Sequence, residues 1–299
     1  MRAAFTAVLS IGCITVDFQR ATPSVEQGQD PPALKVFLSR VQWVLVSPSH
    51  PGNVGATARA LKVTGFDQLW QVDKNGALAA QRLLDPQAQA MASGADDLLS
   101  QARHAESLNE ALAPCVLSLA FTARPREFEP PRRNLDDGLQ EVFDLLSNHP
   151  EARVAMVFGA ERAGLTNDEL MSCSRVCGLS VNPGFGSLNL SQAVQVVAYF
   201  LRYLAMQRLG PKVQTAEGSA QGLPPTSLPS SSRALAPAAS VQALYSTLEK
   251  LALASGYLNP SDPGRFRDRL QRLASRTHLL EDEAQLLHGL SREILNRLR

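Results

Sequence analysis

Cysteine is scarce in this 299-residue chain: Cys13, Cys115, Cys173 and Cys177 are all it has. Four are too few for a disulfide scaffold, and three sit in apolar runs, where a free thiol behaves as a small hydrophobe. Cys173 and Cys177 stand four apart, but no second Cys/His pair completes a zinc quartet, and His50, His104, His149, His278 and His288 are scattered. The sequence therefore implies no metal site, and a reducing, cytoplasmic setting is the default. Charge of one sign is lacking as well. The 29 Lys+Arg against 28 Asp+Glu leave a net charge of +1, which excludes a uniformly basic nucleic-acid coat but not a local patch. Long hydrophobic runs are missing too. Arg2 followed by Ala3 to Val16 imitates the start of a secretory signal, yet it is too short to span a bilayer and no A-x-A site follows it. No membrane partner is expected.

What is present is an ordinary core-forming composition, 44% hydrophobic and 19% charged, with 19 Gly and 19 Pro. At roughly 150 residues per domain there is room for about two domains. Residues 1–40, in which Ala21 to Pro32 is polar and rich in Gln and Pro, read as a poorly ordered extension. From Val41 the pattern changes. Short apolar runs at Val41–Val46, Gln68–Val72, Cys115–Phe121, Val154–Phe158 and Val176–Val181 have the length and continuity of buried parallel strands. Between them lie helical stretches: Val54–Thr64, a region from about Asp85 to Ala113, Asp136–Ser147, Asn167–Cys173 and a long one at Leu190–Arg208. Leu139, Val142, Phe143 and Leu146 fall on one helical face. Strands alternating with helices predict an α/β layered domain over 41–210 around a mainly parallel sheet. Residues 211–240 hold Gly-Pro, Pro-Pro and Ser-Ser-Ser and read as a flexible linker. Residues 241–299 show helical periodicity without strand patterning, which predicts a small all-α domain. There Arg265, Arg269, Arg272 and Arg276 recur at one-turn intervals along one helical face, beside an apolar face of Phe266, Leu270 and Leu273. Such a stripe suits a solvated outer face or a nucleic-acid backbone.

Several familiar chemistries fall away. Gly159-Ala-Glu-Arg-Ala-Gly164-Leu165-Thr166 nearly spells a phosphate-binding loop, but Leu165 stands where the lysine is needed. Gly184-Phe-Gly186 lacks the third glycine of a dinucleotide fingerprint, and no acidic residue stands at ribose distance. No serine lies on a Gly-x-Ser-x-Gly elbow, and no histidine accompanies a candidate nucleophile.

Three segments remain, each after a strand, where α/β sheets bind ligands. They are Asn53-Val-Gly55-Ala-Thr-Ala-Arg59, then Phe158-Gly159-Ala-Glu161-Arg-Ala-Gly164-Leu165-Thr-Asn, then Asn182-Pro-Gly184-Phe-Gly186-Ser187-Leu188-Asn189-Leu-Ser191. Singly, each is turn and capping chemistry. In this order they resemble the SpoU branch of the SPOUT RNA methyltransferases, and the helical tail is similar to that of tRNA-modifying members. The resemblance covers well over half the chain.

The resemblance implies a SPOUT trefoil-knot parallel-sheet domain, in which the C-terminal strands and helix thread a loop, followed by the all-α domain. It implies a homodimer that uses S-adenosylmethionine to methylate a ribose 2′-hydroxyl of tRNA, at cytidine or uridine 32 of the anticodon loop. The cofactor residues carried over are Phe121, Thr122 and Ala123, then Gly159, Leu179, Gly186, Ser187 and Leu188. The family usually shows Thr-Ser-Ala-Arg where this chain has Phe121-Thr-Ala-Arg124. The catalytic residues carried over are Arg59, Asn53, Glu161, Ser187 and Asn189. Arg59 faces the reacting hydroxyl. Since guanidinium holds its proton tightly, its expected role is to clamp a phosphate and stabilise the developing alkoxide. Asn53 and Glu161 would orient Arg59, and Ser187 or Asn189 would position the ribose. Arg265, Arg269, Arg272 and Arg276 would grip tRNA. An rRNA substrate is the sibling expectation, though the extra domain follows the catalytic one here rather than preceding it. A non-catalytic knotted RNA-binding protein is the alternative from another class, and retention of Asn53, Arg59, Glu161 and Asn189 opposes it.

Overall fold

The computed structural model describes residues 30–73, 76–210, 234–259, 265–274 and 277–298. Its centre is a run of strands shut off from water: β1 (Val41–Val46), β4 (Leu117–Phe121) and β6 (Val154–Phe158) are buried at every position. Burial on both faces is what a parallel sheet requires, because crossover helices cover both sides. The remaining strands are β2 (Gln68–Val72), β3 (Arg103–Ala105), β5 (Arg132–Arg133) and β7 (Arg175–Cys177). All pair in parallel, in the order β3-β2-β1-β6-β4-β7-β5. The edge strands β3 and β5 are short and charged, as edges exposed to water tend to be. That composition hides them from a search for apolar runs.

Helices form two layers. On one face lie α1 (Pro32–Leu38), α2 (Pro51–Val63), α3 (Gly76–Leu84), α4 (Pro86–Ala92), α5 (Asp96–Ser100), α7 (Leu135–Asn148) and α9 (Leu190–Leu209). Their apolar faces meet Trp43, Leu45, Met156 and Phe158 of the sheet. On the other, α6 (Leu108–Leu112) and α8 (Asn167–Met171) cover Val44, Val157 and Val176. Leu139, Val142, Phe143 and Leu146 of α7 are buried together. Local chemistry sets the ends. Pro51 opens α2 at its first position, and Gly65, with φ of 78°, follows its end. Asn134 caps α7 by accepting from the Asp137 N–H, and Asn189 caps α9 by accepting from Ser191.

One expected boundary shifts. Pro32–Leu38, inside the expected extension 1–40, is helical and sends Leu34, Phe37 and Leu38 into the core. Residues 1–29 lie outside the described residues, as does most of the expected linker, 211–233. The all-α tail consists of α10 (Ala238–Ala254), α11 (Phe266–Ala274) and α12 (Glu281–Arg297). It is pinned to the sheet domain by backbone bonds, Ala238 N–H to Cys115 O at 2.9 Å and Ala239 N–H to Ala113 O at 3.2 Å. A buried ion pair adds to this. Arg175 of β7 donates to both carboxylate oxygens of Glu141 on α7, at 3.1 and 2.6 Å, and His278 Nε2 from the tail lies 3.1 Å from the same carboxylate. Burial would raise the Glu141 carboxyl, but bonds from His278 and Arg175 outweigh it and hold it at about 2.

Candidate active site

The three motif segments meet at the carboxyl ends of the central strands. The chain leaves β1 through Ser47, whose φ of 48° is left-handed, and turns into α2. There the Ser49 N–H and hydroxyl donate to one carboxylate oxygen of Glu161, at 2.9 and 2.6 Å. The His50 N–H and the Asn53 amide donate to the other, at 3.3 and 2.7 Å. Asn53 Oδ1 in turn accepts from the Asn189 amide at 2.9 Å, and Asn189 Oδ1 accepts from the N–H and hydroxyl of Ser191. A single hydrogen-bonded chain thus joins the loops after β1, β6 and β7. Partial burial would raise the Glu161 carboxyl, yet the bonds from Asn53 and Ser49 prevail and hold it at about 2. A carboxyl held that low is a weak base, and with donors on both oxygens it organises the loops rather than taking up a proton.

Beside this chain opens a cleft lined by Phe121, Thr122, Ala123, Gly159, Leu179, Gly186, Ser187 and Leu188, together with Arg124, Arg126 and Arg162. All eight residues expected to hold the cofactor are brought together here. Its floor is the Phe121–Phe158 pair, stacked with centroids 4.7 Å apart. Gly159 is needed for a reason internal to the wall. A Cβ there would run into the backbone of Gly164 and Leu165, where the loop folds back on itself through the Ala160–Gly164 bridge. On the opposite wall, the backbone N–H and C=O groups of Ser187 and Leu188 find no partner among the described residues. Free backbone donors and acceptors beside apolar side chains are the surface that an adenine and an amino-acid moiety can use.

Arg59 stands apart. It is exposed on α2, does not line the cleft, and makes no hydrogen bond or ion pair with the described residues. The reason is helical geometry, since six residues of separation carry it well round α2 from Asn53. The tail arginines divide. Arg265 and Arg272 hold their guanidinium carbons 5.1 and 4.9 Å from the centre of the Phe128 ring. Arg269 is exposed, and Arg276 lies outside the described residues. Leu273, expected on the apolar face of α11, is 61% exposed. Sequence reasoning missed Ser49, which completes the Glu161 network, and the arginines of the cleft rim. The Ser-His-Pro turn before α2 and the Arg/Pro-rich loop after Phe121 were the available signals.

A family profile, that of the SpoU rRNA methylases, matches residues 40–199. The chain belongs to the SpoU methylase family. The tRNA (cytidine/uridine-2′-O-)-methyltransferase TrmJ of Cronobacter sakazakii is 35% identical over 257 residues, which are 85% of this chain and 95% of that one. Among solved structures, TrmJ from Z. mobilis aligns over 85% of this chain and 98% of its own, with a TM-score of 0.66 and 28% identity. A probable methyltransferase from Bordetella pertussis is 41% identical over 57% of this chain, with a TM-score of 0.52. This SpoU-family chain is a methyltransferase with the SPOUT α/β fold, and S-adenosylmethionine is its methyl donor. The match with both TrmJ proteins runs past the sheet domain, so the helical tail is part of what is shared.

Proposed function

We propose that the protein methylates the ribose 2′-hydroxyl of cytidine or uridine 32 in tRNA, acting in the cytoplasm as a homodimer with a knotted donor site. The single observation that carries this reading is the cleft, which gathers all eight expected cofactor residues between loops held by Glu161. The relatives named for tRNA 2′-O-methylation supply the substrate class.

S-adenosylmethionine supplies a methyl group already activated on a sulfonium. The chain's work is to align the ribose oxygen with it and to stabilise charge as the hydroxyl proton leaves to water or phosphate. Glu161 is a poor proton acceptor, because its carboxyl is held at about 2 and both its oxygens already accept from donors. Arg59 does not line the cleft of its own chain, but it is exposed and without an ion-pair partner among the described residues, so it is free to meet a substrate phosphate. Its role at the developing alkoxide is what the family resemblance assigns to it. The Ser187 hydroxyl stands at the exposed rim with no bond among the described residues, which suits contact with the ribose. Asn53 and Asn189 are occupied with each other and position the loops. Arg124 and Arg162, exposed on the rim, favour an anionic polymer over a neutral small molecule. For the homodimer, support comes from α9. Tyr199, Phe200, Tyr203 and Met206 leave an aromatic face there, with exposures from 39% to 57%. For the knot, support comes from the segment after β7, which returns past β4 and β6 to bond α2 through Asn189.

The test is transfer of label from S-adenosylmethionine to unmodified tRNA, followed by mass-spectrometric mapping of ribose methylation. Label confined to nucleotide 32 is the expected result. Label in ribosomal RNA alone, or cofactor binding without transfer to either RNA, overturns the reading.

A further inference from the structure

The loop between β4 and α7 contributes Thr122, Ala123, Arg124 and Arg126 to the cleft. It is a tied structure. The Glu129 carboxylate accepts from the Arg126 N–H at 3.1 Å and from the Arg132 guanidinium at 2.7 and 2.8 Å. Arg126 reaches across to the Leu165 carbonyl at 3.3 Å, linking this loop to the one after β6. Phe128 stands at its tip, half-buried, and what covers it is the tail: Arg265 and Arg272 of α11 both lie over its ring. The tail and the loop's return limb also share a partner. Arg133 of β5 is 3.4 Å from Glu141, the carboxylate that His278 approaches. Two guanidiniums on one ring would repel each other in isolation. The π-face, which attracts both cations, offsets that repulsion.

We infer that the arginines of α11 clamp Phe128 and so hold the cleft loop in its donor-binding position, which makes Phe128, Arg265 and Arg272 positioning residues for the donor site. The inference rests on the reading of the cleft as the donor pocket. It gives two of the four stripe arginines work that precedes any contact with RNA. With the tip unanchored, the span from Thr122 to Arg133 would be held by the Glu129 and Arg126 bonds alone and would sample conformations in which the wall of the cleft is open. The donor would then bear the cost of ordering it.

The experiment is isothermal titration of the full-length protein with S-adenosylmethionine in the absence of RNA, with thermal melting as the check on folding. Phe128→Ala and the double variant Arg265→Ala/Arg272→Ala should each weaken donor binding roughly fivefold to tenfold. Phe128→Tyr, which keeps the ring, should restore it. Arg269→Ala, on the same helix but with no stacking contact to Phe128, should leave donor affinity unchanged. Steady-state kinetics of Phe128→Ala at saturating tRNA should show the loss in KM for the donor, with kcat at saturating donor retained. Wild-type affinity in the double variant overturns the inference and leaves those arginines to RNA alone. Failure of the wild-type protein itself to bind the donor removes the reading of the cleft and the inference together. Arg265 is exposed and Arg272 half-buried, and neither belongs to the hydrophobic core, so the double variant keeps the test sound if Phe128→Ala does not fold.

Discussion

Glu161 shows how a residue's chemistry follows from its neighbours and not from its type. In a cleft of a methyltransferase a carboxylate is an obvious candidate base, yet donors from Ser49, His50 and Asn53 occupy its oxygens and lower its basicity. Its folded value of about 2 lies below the ordinary 4.5, so its contribution to stability is present above pH 4.5 and is lost as pH falls towards 2. Glu161→Gln should therefore lower the melting temperature at pH 7, and calorimetry should find the gap closing between pH 4.5 and 2. A gap independent of pH would mean that the charge is irrelevant. Arg59 belongs to the same scale and carries the opposite expectation. With no partner to lose among the described residues, Arg59→Ala should keep the fold and the donor affinity while cutting turnover at least about a hundredfold. Single-turnover assays beside donor titration separate the two effects, and near-normal turnover would remove Arg59 from the mechanism.

At the scale of elements, close packing explains a motif glycine whose role is easily mistaken for ligand contact. Gly55 lies on α2 where that helix crosses α4, and an added Cβ would collide with the Ala88 carbonyl. Because the obstacle is backbone, nothing can move aside cheaply. Gly55→Ala should cost about 2 kcal/mol or more, read as a lower urea midpoint at unchanged slope. An unchanged midpoint would show that α4 yields. Elements also differed in how well they could be read. The fully buried strands and the amphipathic α7 announce themselves by burial patterns. The edge strands β3 and β5, Arg103–Ala105 and Arg132–Arg133, are visible only once a neighbour offers its backbone, because their side chains are not apolar. The helix Pro32–Leu38 was hidden by the polar stretch before it, and it is the sheet domain's core that gives its leucines and Phe37 a place to go.

At the scale of the whole molecule, the aromatic face of α9 and the tail's grip on the sheet domain decide how the chain works as a unit. Tyr199 and Tyr203 stack with centroids 6.3 Å apart while remaining exposed. Replacing both by glutamate should yield a species of single-chain mass by sedimentation equilibrium, against twice that mass for the wild type. A wild-type protein already of single-chain mass would refute the homodimer. What the order of residues determined by itself was the α/β alternation and the three loops after strands. Those are local properties, set by apolar runs, caps and turns within a few residues. Which of those residues touch was left to the tertiary structure. Ser49 meets Glu161 across 112 residues and Asn53 meets Asn189 across 136. The arginine stripe, which by spacing alone suits a phosphate backbone, lies partly on Phe128. Periodicity tells which face of an element is apolar; only the packed sheet and its crossovers bring distant side chains within the few ångströms over which a hydrogen bond or a cation and a ring attract.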